Sequence, residues 1–250
     1  PETPQAVWIA QESHTLQERL TPAGADREGT MKLDQLQTLC LAHLSEVMDG
    51  DPAHDISHVR RVVQNTIGLT EVENGNAAVT IPAAWLHDCV TVAKDSPLRK
   101  QASKLAADEA VRFLESVDYP AELLPSIHHA IEAHSFSANI ETDTLEARIV
   151  QDADRLEAIG AIGIARCFLT GGSMGTPLYD QADPFAQERA LDDRSYTLDH
   201  FYCKLMGLQD TMKTDAGRAE AIRRTDYMKD FLDKLGAEIG HSARDAKPLT

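Results

Sequence analysis

The sequence predicts an all-α protein built as a single-domain helical bundle. Apolar residues recur every three to five positions along most of the chain, which is the spacing of amphipathic helices. No stretch shows the convincing alternation of apolar and polar residues that indicates a β-strand. A length of 250 residues also suits one large domain with a sizeable core.

The chain divides into a central helical domain between two tails. Residues 1–30 mix Pro, Gly, Thr and charge without a period, which predicts an N-terminal tail or docking arm, and residues 241–250 are expected to form a C-terminal tail. Helices are expected at the following places within 31–240: from Met31 to Met48, after Asp51-Pro52, after a cap made by Thr80 and Pro82, and at about 99–117, 121–133, 144–170, 195–213 and 216–239.

The composition of the chain limits the kinds of partner and cellular location that are expected. With 24 Lys and Arg against 40 Asp and Glu, the net charge of −16 argues against a nucleic-acid polymer as partner, because such binding depends on basic residues that neutralise phosphates. A small phosphorylated ligand remains compatible, since a metal or a local basic cluster reverses the field within about 8 Å. No apolar run approaches the ~20 residues of a membrane helix, and no signal peptide opens the chain. Together with four cysteines that are far apart in apolar patterns, this predicts a cytoplasmic protein that does not bind a membrane.

The segment "IPAAWLHDCVTVAK" raises a chemical question, because His87 and Asp88 lie inside an apolar run. Burying an unpartnered carboxylate costs several kcal/mol, so Asp88 needs a partner. Two imidazoles and two carboxylates around a divalent cation would meet this need, since the cation neutralises both acids. Further candidate ligands lie in three other helical segments: His54 and His58, then His128, His129 and His134, then Asp152 and Asp154.

Three short motifs, "HVRRV", "LHDCV" and "DADRL", occur in this order and resemble the HD-domain superfamily of metal-dependent phosphohydrolases. The longer strings "HDCVTVAKDSPLRKQAS" and "QDADRLEAIGAIGIAR" are similar to one subgroup of small bacterial HD hydrolases. The similarity runs from about Met31 to Glu238, so 31–240 is expected to be an HD phosphohydrolase domain. The resemblance implies that one metal is bound by His58, His87, Asp88 and one of the two late aspartates.

The helical wheel favours Asp154 over Asp152 as the last ligand. The face of Asp154 carries mostly small residues, whereas the face of Asp152 carries bulky ones such as Leu145 and Ile149. A metal with its phosphate needs room, and the family places its ligand just before a basic residue and Leu. Asp152 is then expected to support the site indirectly or to cap a helix. The spacing of "HVRRV" favours His58 over His54.

His134 resembles one of two extra histidines that bind a second metal in some HD relatives. The other would be expected shortly after the His-Asp doublet, where this chain has Ser103-Lys104. This difference favours a single metal, and leaves His134 to contact the substrate or to transfer a proton. A bound cation lowers the pKa of its water from ~15.7 towards ~7, and Asp88 or His134 would accept the proton. Mn²⁺ is the expected ion, with Fe²⁺, Co²⁺, Ni²⁺, Zn²⁺ or Mg²⁺ as alternatives.

These residues predict a hydrolase that cleaves a phosphate ester or anhydride of a small nucleotide. The subgroup implies cleavage of a nucleoside triphosphate or a deoxynucleotide with release of pyrophosphate, and a cyclic-nucleotide or alarmone hydrolase is the nearest rival within this class. Apolar stripes on the last helices permit a homodimer without requiring one. The alternative is a non-catalytic regulatory HD protein that binds a metal or a nucleotide. Seven basic residues are the candidate substrate contacts, five near the ligand motifs and two on one face of "YTLDHFYCKL": Arg61, Lys94, Arg99, Lys104 and Arg155, then His200 and Lys204.

Overall fold

The structure is a computed structural model that describes residues 33–47, 56–92, 96, 98–135 and 138–243. These residues form nine α-helices and three short 3₁₀ helices, without any strand. The predicted all-α class is therefore confirmed. The α-helices are α1 (Leu33–Val47), α2 (Ile56–Glu73), α3 (Ala77–Leu86), α4 (Ala102–Ser116), α5 (Leu124–His134), α6 (Leu145–Leu156), α7 (Gly160–Ser173), α8 (Asp199–Cys203) and α9 (Asp215–Ile239). The 3₁₀ helices are Arg99–Gln101, Ala121–Leu123 and Leu205–Thr211.

The chain forms two compact units, residues 1–151 and residues 152–250. The predicted N-terminal arm, and residues 244–250 of the predicted C-terminal tail, lie outside the described residues. The limits 31–240 for the HD domain therefore stay a prediction. Within the described ranges, no helix combines the length and the apolar composition that crossing a membrane requires.

Helix α3 lies at the centre of the first unit. It contacts α1, α2, α4 and α5, and all of its residues from Val79 to Leu86 are buried. A helix that is apolar on every side reaches low free energy only when other helices surround it. The consequence for function is positional, because the chain leaves the end of this central helix through His87 and Asp88.

The predicted start of α3 is wrong by four residues. The helix begins at Ala77, where the side-chain oxygen of Asn76 accepts a hydrogen bond from the Ala78 N–H at 3.0 Å. Pro82 and Thr80 therefore lie inside the helix instead of capping it, and the Thr80 hydroxyl is hydrogen-bonded to the Thr70 hydroxyl at 2.8 Å. Asn is one of the residue types that cap helices well, so the signal was present in the sequence.

The helix predicted at 144–170 is interrupted. Helix α6 ends at Leu156, Ile159 is extended, and Gly160 has a positive φ of 75°. Glycine adopts this conformation without the steric cost that a side chain brings. A Cβ at Gly160 would also lie only 3.0 to 3.2 Å from three side-chain carbons of Arg224. The sequence between 195 and 213 is likewise divided, into α8 and a 3₁₀ helix.

Cys40 should be an unreactive thiol in the folded protein. It is fully buried, and burial, with a smaller contribution from Cys89, raises its pKa from 9.0 to about 12. At pH 9 only about one thiol in a thousand would then be ionised, so alkylation by iodoacetamide should stay slow between pH 7 and 9.5. In urea, where the protein is unfolded, the alkylation rate should follow pH as it does for a thiol with an ordinary pKa. Mass spectrometry of the labelled Cys40 peptide measures both rates, and a native rate that is as fast as in urea and levels off near pH 9 would contradict the burial.

Candidate metal centre

His87 is the most deeply buried of the four predicted metal ligands. It caps the C-terminal end of α3, and its side chain is 0% exposed. Its Nδ1 lies 2.8 Å from the carbonyl oxygen of Ala84. Because a carbonyl only accepts, Nδ1 carries the donated proton, and in the neutral ring the lone pair lies on Nε2. Metal-binding histidines commonly use the second nitrogen in this way.

His58 and Asp88 meet the Nε2 side of this ring. His58 projects from α2, is buried, and places its Nε2 at 3.4 Å from the His87 Nε2. Asp88 follows His87 directly, and its Oδ2 lies 3.6 Å from His87 Nε2 and 3.9 Å from His58 Nε2. One ligand atom from each residue lies within 4.8 Å of the other two. Ligands at about 2.0 to 2.2 Å from a common ion are separated by distances of this order.

His134 also lies beside Asp88 in the first unit. It ends α5, is buried, and its Nδ1 lies 2.6 Å from the Ile131 carbonyl oxygen, as His87 does with Ala84. Its Nε2 therefore faces inward, 3.7 Å from Asp88 Oδ1, and its ring stands at 87° to the His87 ring with centroids 5.0 Å apart. The two oxygens of Asp88 thus face different histidines: Oδ2 faces the pair and Oδ1 faces His134.

The donor chemistry of this cluster fits a divalent cation. Lone pairs on two imidazole nitrogens 3.4 Å apart repel each other unless a proton or a cation lies between them. The buried position of both rings strengthens that repulsion, and the Asp88 carboxylate adds negative charge beside them. A divalent cation would relieve the lone-pair repulsion and neutralise the carboxylate. The combination of nitrogen and oxygen ligands suits Mn²⁺, Fe²⁺, Co²⁺, Ni²⁺ or Zn²⁺.

Asp152 and Asp154 differ in burial within the second unit. Asp152 is 0% exposed, and its carboxylate accepts hydrogen bonds from the Lys213 N–H and from the N–H and hydroxyl of Thr214 at 2.8 to 3.0 Å. Thr214 in turn caps α9 by accepting from the Gly217 N–H at 3.0 Å. Asp152 therefore ties α6 to the start of α9. Asp154 is only partly buried and lies on the same helix.

The basic residues predicted near the ligand motifs have varied surroundings. Arg61 is partly buried on α2, and Lys94, like the competing ligand His54, lies outside the described residues. The other three donate hydrogen bonds within the protein: Arg99 to the Val92 carbonyl at 3.0 Å, Lys104 to the Asp108 carboxylate at 2.7 Å, and Arg155 to the Thr211 carbonyl at 2.6 Å. Their phosphate contacts stay predictions.

His200 and Lys204 line one cavity in the second unit, together with Arg166 and Arg194. Sequence reasoning missed both arginines. Arg166 ends the string "QDADRLEAIGAIGIAR", but helices commonly carry arginines that only contact solvent. Arg194 lies in an irregular segment without any periodic pattern. Only the tertiary packing of the second unit identifies them as neighbours.

The fold and the His-His-Asp cluster define a helical metal-binding domain, and comparison with known families identifies its class. Residues 55–159 match the family model described as the HD domain. The chain belongs to the HD-domain superfamily of metal-dependent phosphohydrolases. The family predicted from the three motifs is therefore confirmed.

Individual relatives cover most of the chain. It is 32% identical over 211 residues to the uncharacterized protein YpgQ of Bacillus subtilis, a match that spans 82% of this chain and 93% of YpgQ. A crystal structure of YpgQ in complex with ADP superimposes with a TM-score of 0.63 at 31% identity, and covers 82% of this chain and 98% of that one. A crystal structure of an HD-superfamily hydrolase from Bacillus thuringiensis is equally similar, with a TM-score of 0.63, 33% identity and the same coverage.

Proposed function

We propose that the protein hydrolyses a phosphate ester or anhydride of a small nucleotide, with a nucleoside triphosphate as substrate and pyrophosphate as product. The observation that carries the proposal is the convergence of His58, His87 and Asp88, with His134 beside them: the two metal-centre histidines are buried, and Asp88 is partly exposed. Membership of the HD superfamily supports a metal-dependent phosphohydrolase in general. The ADP bound by YpgQ supports a nucleotide as the ligand.

The proposed metal ligands are His58, His87, Asp88 and Asp154, with Mn²⁺ as the preferred ion. Asp154 is favoured as the fourth ligand because the carboxylate of Asp152 is already occupied by the backbone and hydroxyl donors at residues 213 and 214. When bound, a divalent cation supplies Lewis acidity and lowers the pKa of its water from ~15.7 towards ~7.

His134 is the proposed proton acceptor. Its Nδ1–H is donated to the Ile131 carbonyl, so in the neutral ring Nε2 holds the lone pair and points to the cluster. Asp88 Oδ1, at 3.7 Å, would stabilise the imidazolium that forms when Nε2 takes a proton. Asp88 thus has two tasks, since its other oxygen faces the two histidines of the metal centre.

The experiment that tests the function is a survey of turnover. Protein treated with EDTA and then supplied with Mn²⁺ should release pyrophosphate or phosphate from nucleoside and deoxynucleoside triphosphates. Without the added metal, release should fall to the background rate. A properly folded, metal-loaded protein that turns over none of these nucleotides would favour the alternative, a non-catalytic regulatory HD protein.

Replacing His134 by Ala should lower kcat by about 10²- to 10⁴-fold and leave bound Mn²⁺ unchanged, because the imidazole acts on a proton and not on the metal. His128→Ala is the matched control, since His128 lies on the same helix but is hydrogen-bonded to Asp108 at 2.9 Å. Kinetics and elemental analysis measure the two effects. Loss of the metal from His134→Ala would show that this histidine is a ligand.

Asp154→Asn and Asp152→Asn should have opposite effects. The first should weaken Mn²⁺ binding by about tenfold or more and change the melting temperature little. The second should keep the metal but lower the free energy of unfolding by about 1–3 kcal/mol, because an amide NH₂ would face N–H and O–H donors at residues 213 and 214. Metal titration and urea unfolding of both variants measure this, and the reverse pattern would make Asp152 the ligand.

A further inference from the structure

The second unit contains a cavity of about 360 Å³ beside α7 and α8. Its volume lies in the range of small-molecule sites, about 300–1,000 Å³. Three permanently charged cations line it, namely Arg166, Arg194 and Lys204, together with His200. Asp193 is the one carboxylate among the described lining residues. This local excess of positive charge is the reverse of the whole chain, where acids outnumber bases by 40 to 24.

The charges of the cavity are arranged to receive an anion. Asp193 is engaged by His200, whose Nδ1 lies 2.9 Å from the carboxylate. Arg166 donates one N–H to the Glu157 carbonyl oxygen at 3.1 Å, which orients a guanidinium that has five N–H donors in all. Arginine binds phosphate through paired donors, and Lys204 would add a point charge.

Another part of the cavity lining is apolar. Cys167, Met174 and Leu205 contribute to it, and Met174 is 68% exposed although its side chain is apolar. A site that combines cations with an adaptable apolar wall suits a ligand with a charged end and a flat apolar end. A nucleoside di- or triphosphate has this composition, whereas inorganic phosphate alone would leave the apolar wall uncovered.

Tight packing forms the cavity before any ligand binds. A Cβ at Gly171 would lie 2.3 Å from the Thr197 hydroxyl oxygen, so only glycine lets α7 approach Thr197 this closely. The Thr197 N–H donates to the Pro177 carbonyl at 3.0 Å, which anchors the same segment. Gly171 and Thr197 are both buried and both line the cavity. Preformed sites lose less conformational entropy on binding.

We propose that this cavity of the second unit binds the phosphates of a nucleoside di- or triphosphate through Arg166, Arg194 and Lys204, with the base against the apolar wall. Binding at these residues does not require the metal. The inference rests on the proposed function for the class of ligand, and it assigns two phosphate-binding arginines that are not among the substrate contacts predicted from the sequence.

Calorimetric titration of the full chain with ADP in EDTA tests the proposal. The wild type should bind ADP without metal, and adenosine should bind at least about tenfold more weakly because it lacks the phosphates. The double variant Arg166→Gln/Lys204→Gln should lose about tenfold or more in ADP affinity. Its matched control is Lys229→Gln/Lys234→Gln, which removes two exposed positive charges from α9 of the same unit.

Equal weakening by the two double variants would overturn the proposal, because it would show an effect of net charge alone. Absence of ADP binding in EDTA would overturn it as well. Turnover with Mn²⁺ separates this inference from the proposed function. Active protein whose cavity variants keep their ADP affinity contradicts only the cavity assignment, whereas cavity-dependent ADP binding without any turnover contradicts only the hydrolase.

Discussion

Replacing Asp88 by Ala is expected to remove the proposed metal and the proposed hydrolytic activity together, while the helical content stays intact. The Asp88 carboxylate lies within 4 Å of three imidazole nitrogens, so its loss removes one of the two proposed carboxylate ligands and the negative charge beside these rings. Turnover should fall by a factor on the order of 10³ or more, since the Lewis acid supplies several kcal/mol of transition-state stabilisation. The fold should tolerate the change, because Asp88 follows α3 and its side chain is 29% exposed.

His87→Ala makes a useful companion to Asp88→Ala. It should also lose the metal, but the ring is fully buried, so a cavity would remain and the free energy of unfolding should fall by roughly 2–5 kcal/mol. Asp143→Ala, an exposed aspartate of the same unit, is the control for both. Elemental analysis after Mn²⁺ loading and dialysis, circular dichroism and the pyrophosphate assay separate metal loss from unfolding. Full activity and a full metal content in Asp88→Ala would refute the ligand assignment.

Replacing Arg189 by Leu should be the most destabilising single change at an ion pair of the second unit. Asp199 is 1% exposed, and Arg189 donates to both of its oxygens at 2.6 and 2.8 Å. A further bond comes from the Asp192 N–H at 2.6 Å. Without the guanidinium, a buried carboxylate keeps its charge in poor solvation, which typically costs about 3–5 kcal/mol.

Urea unfolding measures this loss of stability, provided that the variant and the wild type have the same m-value. Two control variants show whether the loss comes from the buried charge. Arg223→Leu should cost under about 1 kcal/mol, because Glu220 keeps its bond from Arg224 at 2.7 Å and Arg223 is exposed. Adding Asp199→Asn to Arg189→Leu should restore part of the stability, because the uncompensated charge is gone. Equal stability of the Arg189→Leu and Arg223→Leu variants would contradict the proposed cost of the buried charge.

Local sequence signals predicted the fold class well and the element boundaries less well. The 3.6-residue period follows from which face of a helix is buried, so it appears in the sequence wherever one face meets a core. The first and last residues of a helix depend on single capping or helix-breaking residues, and a short stretch of sequence can contain several of these signals. Asn76 caps α3 although Thr80 and Pro82 are also good start signals, and Gly160 ends a periodic pattern that the sequence alone continues.

The same contrast holds for the candidate site. The motifs placed His58, His87 and Asp88 in one proposed centre because their order and helical context are specific, and the structure brings these side chains within 4.8 Å. The sequence did not predict Arg166 or Arg194 as ligand contacts, because a solvated arginine and a cavity arginine have the same local sequence pattern. Their neighbourhood arises from the close approach of α7 to Thr197.

By itself, the sequence determined that the chain is helical, that it carries the ordered HD motifs, and that its acids outnumber its bases. Each of these properties is local or additive along the chain. Only the tertiary structure decided that the Asp152 carboxylate is hydrogen-bonded to the start of α9, that His134 turns its Nε2 towards Asp88, and that a cationic cavity forms in the second unit. These depend on distances between residues far apart in the chain, and such distances are set by packing and not by local pattern.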